Sequence, residues 1–397
     1  MPAVERPHCT ATVGAPDPRL TLIANAHVSL DRPYDVIADD GIDHMILRGL
    51  RDAAQRGVRM RLLIDDLHST GTGPLLLGLA AHPNVVRRLF NPFAASRQSA
   101  LSRTLGLLAD LGRLNHRMHN KLFIADGAVA IVGARNLANE YFLRGSEGNF
   151  IDFDLLVTGA VLPQLNEGFD LYWNSERAYL VQVIAAALEP TDASRASFDA
   201  LTQPENIPAP PPATDVYGKP AFSTARAKRS FHLIGADGRT CADSPDKVDP
   251  AHHDPAATGS VTQRFLKLLG TAHTEMLLRS PHFIPGPESI DANMGFTDRR
   301  TVMVGPMNID PRSARINTEI GLAFDSPPLA HTVMSAFRVD ELSAVWRVRL
   351  GTAGPGVHWT AVNPGATDDE CDIDPDTSAW QRFRSFRLSW RVSEVQL

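Results

Sequence analysis

The fold of this chain is decided by the stretch His119-Asn120-Lys121-Leu122-Phe123-Ile124-Ala125-Asp126, which is followed by Gly133 and Asn136. Together these positions read H-x-K-x4-D-x6-G-x2-N. With ordinary residue usage, five fixed residue types at this spacing coincide by chance about once per million start positions. The stretch is therefore interpreted as a catalytic motif.

The motif predicts a β-hairpin. Residues 121–125 and 128–132 are mostly apolar, and Asp126-Gly127 is a strong two-residue turn signal. Side chains at i and i+2 share one face of a strand, so His119 and Lys121 should project together. Asp126 belongs to the catalytic motif, but its position at the strand end favours a structural anchor at the turn.

The residue types suit attack on a phosphodiester. A neutral imidazole at His119 is a nucleophile, and the ammonium of Lys121 places fixed positive charge near the phosphate oxygens. Asn136 can donate an uncharged hydrogen bond to the same oxygens. This chemistry requires no metal and no cofactor. The competing interpretation of His119, a satisfied core histidine, is disfavoured by its partners at fixed spacing.

At these residues the chain resembles the phospholipase D superfamily, whose signature is this motif carried twice. The resemblance is closer to the bacterial cardiolipin synthase branch, and it extends over most of the chain. The supporting stretches are residues 56–66, 88–93, 115–121, 133–136, 152–155, 172–175, 244–247 and 308–319. The last of these runs is highly specific for the branch.

The resemblance implies an α/β protein with two phospholipase D-like lobes, each a mixed β-sheet flanked by helices, of which the second is truncated. The predicted parts are an N-terminal tail (1–18), a first lobe with the intact motif (19–176), a Pro-rich linker region (177–228) and a degenerate second lobe (229–397). Within the first lobe, a helical pattern covers Ile46 to Gln55 and an apolar strand covers Met60 to Ile64.

The resemblance also implies a reaction. One histidine forms a phosphohistidine intermediate, and the other protonates the leaving alcohol and then activates the acceptor. By position, His119 is the nucleophile or its acid/base partner, and Lys121 and Asn136 bind the phosphate. Either Asp152 or Asp154 is expected to orient the imidazole. The surrounding basic side chains either attract an anionic headgroup or form a solvated rim; they are Arg113, His116, Arg117 and Arg135.

The second copy of the motif lacks its catalytic pair. Asp298, Gly305 and Asn308 repeat the spacing of Asp126, Gly133 and Asn136. At the positions of the second histidine and lysine stand Asp291 and Asn293. The second-half remnant that is retained comprises Asp298, Asn308 and Glu319.

Several outcomes of this loss stay open. Asp291 acts as the general acid if burial raises its pKa, or His282 replaces the missing histidine. Alternatively, two chains bring their His119 motifs together across a two-fold axis as a homodimer. The remaining alternative is weak, altered or absent catalysis.

Composition restricts the partners. The net charge is −6 over 397 residues, which gives no indication of nucleic-acid binding, and the three cysteines are interpreted as free thiols. No signal peptide or transmembrane segment is predicted, so the expected location is the cytoplasm or the periphery of the inner membrane. Aromatic and basic residues alternate over 380–391, which suits either a bilayer interface or an edge strand. The acidic run 368–376 is interpreted as a solvated loop.

These observations predict a cardiolipin synthase-like phosphatidyltransferase that acts on a phosphatidylglycerol-like phospholipid. One alternative is a catalytically impaired relative that binds anionic phospholipid. A further alternative is a phosphodiesterase or nuclease of the same superfamily.

Overall fold

The structure is a computed structural model. It describes residues 8–12, 17–34, 39–65, 73–92, 116–142, 144–145, 150, 152–181, 190–209, 221–230, 233–249, 260–274, 276–279, 294–308, 313, 315–336, 346–350, 357–361, 370–371 and 378–380.

Helices and strands alternate along much of the chain. The helices in the described parts are α1 (Asp17–Asn25), α2 (Gly41–Gln55), α3 (Gly73–Ala80), α4 (Leu162–Trp173), α5 (Asp192–Leu201), α6 (Phe222–Ala227), α7 (Val261–Leu269) and α8 (Pro327–Ala336). The strands there are β1 (His8–Thr12), β2 (Ser29–Tyr34), β3 (Arg59–Asp65), β4 (Val85–Phe90), β5 (Leu122–Ala125), β6 (Val129–Gly133), β7 (Asp154–Thr158), β8 (Ala178–Leu180), β9 (Ile234–Gly235), β10 (Asp237–Ala242), β11 (Met276–Arg279), β12 (Met294–Thr297), β13 (Thr301–Val304), β14 (Ile320–Asp325), β15 (Trp346–Leu350), β16 (Val357–Ala361) and β17 (Glu370–Cys371).

The first sheet has nine strands in the order β8-β4-β3-β2-β5-β6-β7-β1-β9. Strands β2, β3 and β4 run parallel, and the other neighbours are antiparallel. Helix α2 buries one face, at Ile42, Ile46 and Leu50, because these apolar residues recur every four positions. The mixed sheet, the strand over Met60–Ile64 and the helix over Ile46–Gln55 are confirmed.

The predicted hairpin is confirmed with a longer loop. Leu122 pairs with Val132 and Ala125 pairs with Val129, so the connection is the three residues 126–128 and not the two-residue turn predicted. Asp126 and Gly127 both have positive φ, at 54° and 64°. The Asp126 carboxylate accepts hydrogen bonds from the backbone N–H groups of residues 27–29, at 2.8–3.2 Å. Asp126 thus fastens the hairpin loop to the start of β2.

The second sheet has five strands in the order β10-β14-β13-β12-β11, with every pair antiparallel. Its β12–β13 hairpin has an anchored loop like that of the β5–β6 hairpin. Asp298 lies in the β12–β13 loop with φ 53°. Its carboxylate accepts from the backbone N–H groups of His273 (3.0 Å) and Thr274 (2.7 Å), just before β11. Asp126 and Asp298 are therefore equivalent anchors, which supports the internal duplication read from the sequence.

Strands β2 and β11 are equivalent, because each follows the segment that the anchoring aspartate binds. The two sheets differ on the far side of these strands. The first sheet continues from β2 into β3, β4 and β8, whereas β11 is the last strand of the second sheet among the described residues. Only residues 280–293 connect β11 to β12, while residues 35–121 connect β2 to β5. The truncation of the second lobe stays a prediction.

Several segments differ from the predicted domain plan. Strand β1, placed in the tail, pairs with β7 inside the first sheet. Helix α5, placed in the linker, buries Phe198 completely in the first core and packs it against Gly78 of α3. Residues 210–220 of the Pro-rich run lie outside the described residues. The proposed lobe boundaries stay a prediction.

The contacts divide the chain into a large unit, residues 1–330, and a smaller unit, residues 331–397. The smaller unit contains the antiparallel sheet β15-β16-β17. Most of the aromatic and basic run 380–391 and of the acidic run 368–376 lies outside the described residues. Among the helices that the structure describes, none has the length and apolar character needed to cross a bilayer.

Asp126→Ala is expected to destabilise the protein by about 1–2 kcal/mol, because three backbone donors lose their shared acceptor. Burial alone would raise the pKa of Asp126, but those N–H groups outweigh it and hold that pKa below the ordinary 3.8. The stabilisation is therefore present above about pH 3.8 and is lost as the pH falls through the lowered pKa. Urea unfolding from pH 2 to pH 7 checks this, with the exposed Asp237→Ala as the control. A difference in unfolding free energy between wild type and Asp126→Ala that grows as the pH falls would contradict this prediction.

Candidate active site

His119 lies where the first and second halves of the chain meet. Its backbone N–H donates to the Thr318 carbonyl oxygen (2.9 Å), and the N–H of Thr318 donates to the Arg117 carbonyl oxygen (2.8 Å). The neighbouring Met118 N–H donates to the buried carboxylate of Asp65 at the end of β3 (2.8 Å). These bonds fix the backbone on both sides of the imidazole.

The imidazole of His119 is oriented by Glu319. Its Nδ1 lies 3.1 Å from both carboxyl oxygens of Glu319, which immediately precedes β14. The Glu319 side chain is fully buried, whereas that of His119 keeps 13% of its surface exposed. The prediction that Asp152 or Asp154 orients His119 is wrong, because a carboxylate from the other half of the chain fills that place.

Burial strongly affects the Glu319 carboxyl group. Desolvation raises the pKa of Glu319 well above its ordinary value, and the nearby Asp243 raises it further. Lys121 and Lys247 act in the opposite direction, as does a hydrogen bond from the side chain of Ser313. The pKa of Glu319 is therefore controlled by groups from both halves of the chain.

Lys121 is buried close to His119, as the i, i+2 spacing predicts. It is 2% exposed, and its Nζ donates to the His119 carbonyl oxygen (3.2 Å). A buried ammonium beside an imidazole is suited to binding an anionic group. The predicted role of Lys121 as a phosphate ligand stays a prediction.

Asn136 is also buried near the hairpin. Its Nδ2 donates to the Tyr141 hydroxyl (3.1 Å), and its Oδ1 is buried without a hydrogen-bond partner among the described residues. Exchanging the amide oxygen and nitrogen lets Tyr141 donate to Oδ1 and turns the NH2 group to the other side. In that orientation Asn136 has a donor for a substrate oxygen, which is its predicted role.

Asp154 and Arg135 form an ion pair with each other inside the core. Asp154 Oδ2 forms buried ion pairs with Arg19 (2.9 Å) and Arg135 (3.3 Å). Burial alone would raise the pKa of Asp154, but the two guanidinium groups hold it below its usual range. Arg135 also donates to the Asp152 carbonyl oxygen and is 4% exposed. The predictions of a catalytic Asp154 and a substrate-binding Arg135 therefore do not fit the geometry, because each is bound to the other in the core.

Gly133→Ala is expected to destabilise the protein by about 2–3 kcal/mol, in the range of overpacking substitutions. A Cβ at Gly133 overlaps the Asp154 carboxylate and the Phe153 carbonyl oxygen. Gly270→Ala is the matched control, since its Cβ meets only ordinary contacts of 3.5 Å. Urea unfolding of both variants measures the difference; equal stabilities would show that the close approach of β6 and β7 has no cost.

The remnant of the second motif is partly structural. Asp298 anchors a loop, and the Asn308 N–H donates to the Ser313 hydroxyl (3.1 Å), which itself hydrogen-bonds Glu319. The two potential substitutes for the second histidine, His282 and Asp291, lie outside the described residues. Arg117 is half-buried, and its predicted role in substrate binding stays a prediction.

Three residues around Glu319 were not predicted from the sequence to belong to the site: Tyr172, Asp243 and Lys247. Tyr172 donates to the Asp243 carbonyl oxygen (2.8 Å), and Lys247 Nζ donates to the Asp243 carboxylate (2.7 Å). The available signal was the family resemblance of residues 172–175 and 244–247, which include Tyr172 and Lys247 but assign them no role. Nothing in the spacing of these stretches relates them to Glu319, which follows more than 70 residues later.

Comparisons with known proteins support the family resemblance. Residues 20–173 match the family model described as "Cardiolipin synthase, PLD-like domain". Cardiolipin synthase C of Escherichia coli strain K12 is 28% identical over 444 aligned residues, which cover 92% of this chain and 90% of the relative. An uncharacterized protein of Helicobacter pylori strain 26695 is 28% identical over 92% of this chain and 84% of its own.

A solved structure shares the fold. The crystal structure of phosphatidylserine synthase from Haemophilus influenzae Rd KW20 superposes with a TM-score of 0.52 at 11% sequence identity. The match covers 83% of this chain and 86% of that one. At this identity the likeness concerns the fold alone, and it includes both halves of the chain.

Proposed function

Because this chain belongs to the phospholipase D superfamily, with a cardiolipin synthase-like domain over residues 20–173, we propose that it transfers phosphatidyl groups between phospholipids through His119. The observation that carries the proposal is the contact between His119 Nδ1 and the buried Glu319 carboxylate. In this proposal Nε2 is the nucleophile, and the contact at Nδ1 sets the tautomer and the direction of the imidazole from the other half of the chain.

In the first step, Nε2 of His119 attacks the phosphorus of a phospholipid phosphodiester. A bond forms between Nε2 and phosphorus while the bond from phosphorus to the headgroup oxygen breaks. Positive charge develops on the imidazole, and the Glu319 carboxylate stabilises it through the Nδ1–H hydrogen bond. The product of this step is a phosphatidylhistidine at His119.

Lys121 and Asn136 bind the non-bridging oxygens in this proposal. The ammonium of Lys121 balances the negative charge of the phosphate, and the Asn136 amide adds a neutral donor. Both side chains are at least 95% buried, so water competes little with these interactions.

A proton donor must serve the leaving headgroup, and the same group then deprotonates the acceptor alcohol. In this chain Asp291, His282 and the His119 of a second copy remain the alternatives for that role. An acceptor hydroxyl on phosphatidylglycerol yields cardiolipin, whereas water yields phosphatidic acid. The substrate is met at a membrane surface, to which the protein binds peripherally.

A second function is favoured by one observation: Asp291 and Asn293 stand where the second motif has its histidine and lysine. Without a proton donor, the site retains Lys121 and Asn136 and binds anionic phospholipid without turnover. A phosphodiesterase or nuclease is the further alternative, although the net charge of −6 gives it no support.

The test uses purified protein and vesicles of phosphatidylglycerol, with cardiolipin, phosphatidic acid and glycerol followed by mass spectrometry. Cardiolipin and glycerol in equal amounts support phosphatidyl transfer. Phosphatidic acid with glycerol indicates a hydrolase. Vesicle binding without any product supports the lipid-binding alternative, and cleavage of added single-stranded DNA under the same conditions supports the nuclease.

A further inference from the structure

An ion pair from the second half, Asp243–Lys247, lies against Glu319. The Asp243 side chain is 1% exposed, and its Oδ2 accepts from Lys247 Nζ (2.7 Å) and from the backbone N–H of Glu319 (3.1 Å). Its Oδ1 accepts from the N–H of Val261 at the start of α7 (2.8 Å). One carboxylate therefore joins Lys247, Glu319 and a helix terminus.

The Asp243 side chain takes the place of a backbone carbonyl in the hydrogen bonding between Asp243 and Glu319. The β10–β14 ladder ends with Ala242 opposite Ile320, and the Asp243 N–H still donates to the Glu319 carbonyl oxygen (3.0 Å). The return bond from the Glu319 N–H goes to the Asp243 carboxylate, and the carbonyl oxygen of Asp243 accepts from the Tyr172 hydroxyl. Because Tyr172 belongs to α4, Asp243 ties the backbone of Glu319 to the first half.

Lys247 also contacts Ser313, whose side chain hydrogen-bonds Glu319. Its Nζ donates to the Ser313 carbonyl oxygen (3.0 Å), and the Ser313 side chain hydrogen-bonds the Glu319 carboxylate. Lys247 thus holds two groups of the second half that contact Glu319, Asp243 and Ser313.

The charges near Glu319 come from both halves. Lys121 and Lys247 are the cations, Asp243 is the anion, and His119 faces the carboxylate directly. The two cations oppose the desolvation that raises the pKa of Glu319. A buried ion pair is weak evidence for a role in stability alone, since its desolvation cost is comparable to its attraction.

We propose that Asp243 and Lys247 are positioning residues: Asp243 holds the backbone of Glu319 beside His119, and Lys247 holds Asp243 and Ser313 and places a second positive charge beside the Glu319 carboxylate. In this proposal Lys247 supplies, from the segment Ser244–Lys247, a cation beside the site in a chain whose second motif has no lysine. The role rests on the proposed function, in that His119 must be the reacting group for it to matter in catalysis.

The test is a nitrogen NMR titration of His119 in Lys247→Met. Methionine has a side chain of similar length to lysine but carries no charge. Losing the cation should move the titration midpoint of the His119–Glu319 pair upward by about half a pH unit or more. Lys247→Arg should restore the midpoint, and the exposed Lys228→Met is the matched control that should leave it unchanged. His119→Ala assigns the signal among the 14 histidines.

An unchanged midpoint in folded Lys247→Met would overturn the proposal. If methionine at this position prevents folding, Lys247→Gln enters the same titration, because its amide still donates to Ser313. Should both neutral variants fail to fold, Lys247 has a structural role and the proposal is rejected. The titration needs no turnover, so it can be read even if phosphatidyl transfer is not found.

Discussion

His119→Ala is expected to lower phosphatidyl transfer by about 10³-fold or more, because it removes the nucleophile on which the covalent intermediate forms. The fold should be retained, since the backbone of this segment is fixed by the bonds of residues 117–119 to Thr318 and Asp65. The measurement is the initial rate of product formation on phosphatidylglycerol vesicles, together with far-ultraviolet circular dichroism.

His44→Ala is the control for that experiment, because His44 lies on α2 and contacts Asp39 and not Glu319. It should keep the wild-type rate. A variant without His119 that retains full activity would assign the chemistry to another group, and the proposed role of the first motif would be wrong.

Glu319→Gln is expected to lower kcat by about 10²–10⁴-fold while KM changes little. Glutamine can still accept a hydrogen bond from Nδ1, but it lacks the charge that stabilises the imidazolium formed during attack. Glu167→Gln, on the exposed face of α4, is the matched control and should behave as wild type. An equal loss in both variants, or a rise in KM alone, would contradict the role assigned to Glu319.

The same variant should be more stable than wild type at neutral pH, by about 0.5–2 kcal/mol, the range of single stabilising substitutions. Burial raises the pKa of Glu319 above the ordinary 4.5, so ionising it costs stability in the folded state. The stability associated with its neutral form is present below about pH 4.5 and is lost as the pH rises through the raised pKa. In urea unfolding, the stability advantage of Glu319→Gln should therefore grow as the pH rises from about 4.5 through the raised pKa of Glu319. A stability gain of Glu319→Gln over wild type that is largest at acidic pH would contradict the predicted pH dependence.

Local patterns predicted the local structure well. Alternation and turn residues identified the hairpin at Asp126, and the four-residue apolar repeat identified α2. The repeated D-x6-G-x2-N spacing predicted equivalent loops, and Asp126 and Asp298 do bind the strand starts in the same way. These features depend on residues close in sequence, or on a copy of the same segment.

The partners of the charged residues were harder to predict. Glu319 is 200 positions from His119, and only the packing of the two halves brings them together. Asp154 is closer to His119 in sequence, but its carboxylate forms ion pairs with Arg19 and Arg135. No sequence pattern shows which of several buried carboxylates faces a given imidazole, since that choice depends on long-range packing.

The central claim is that His119 reacts covalently with the phospholipid. The most direct measurement is to quench the protein with a short-chain phosphatidylglycerol during turnover and to map the adduct by peptide mass spectrometry. We expect a phosphatidyl adduct on the peptide that contains His119, which disappears in His119→Ala. An adduct on another residue, such as His282, or product formation without any adduct on His119, would contradict the account.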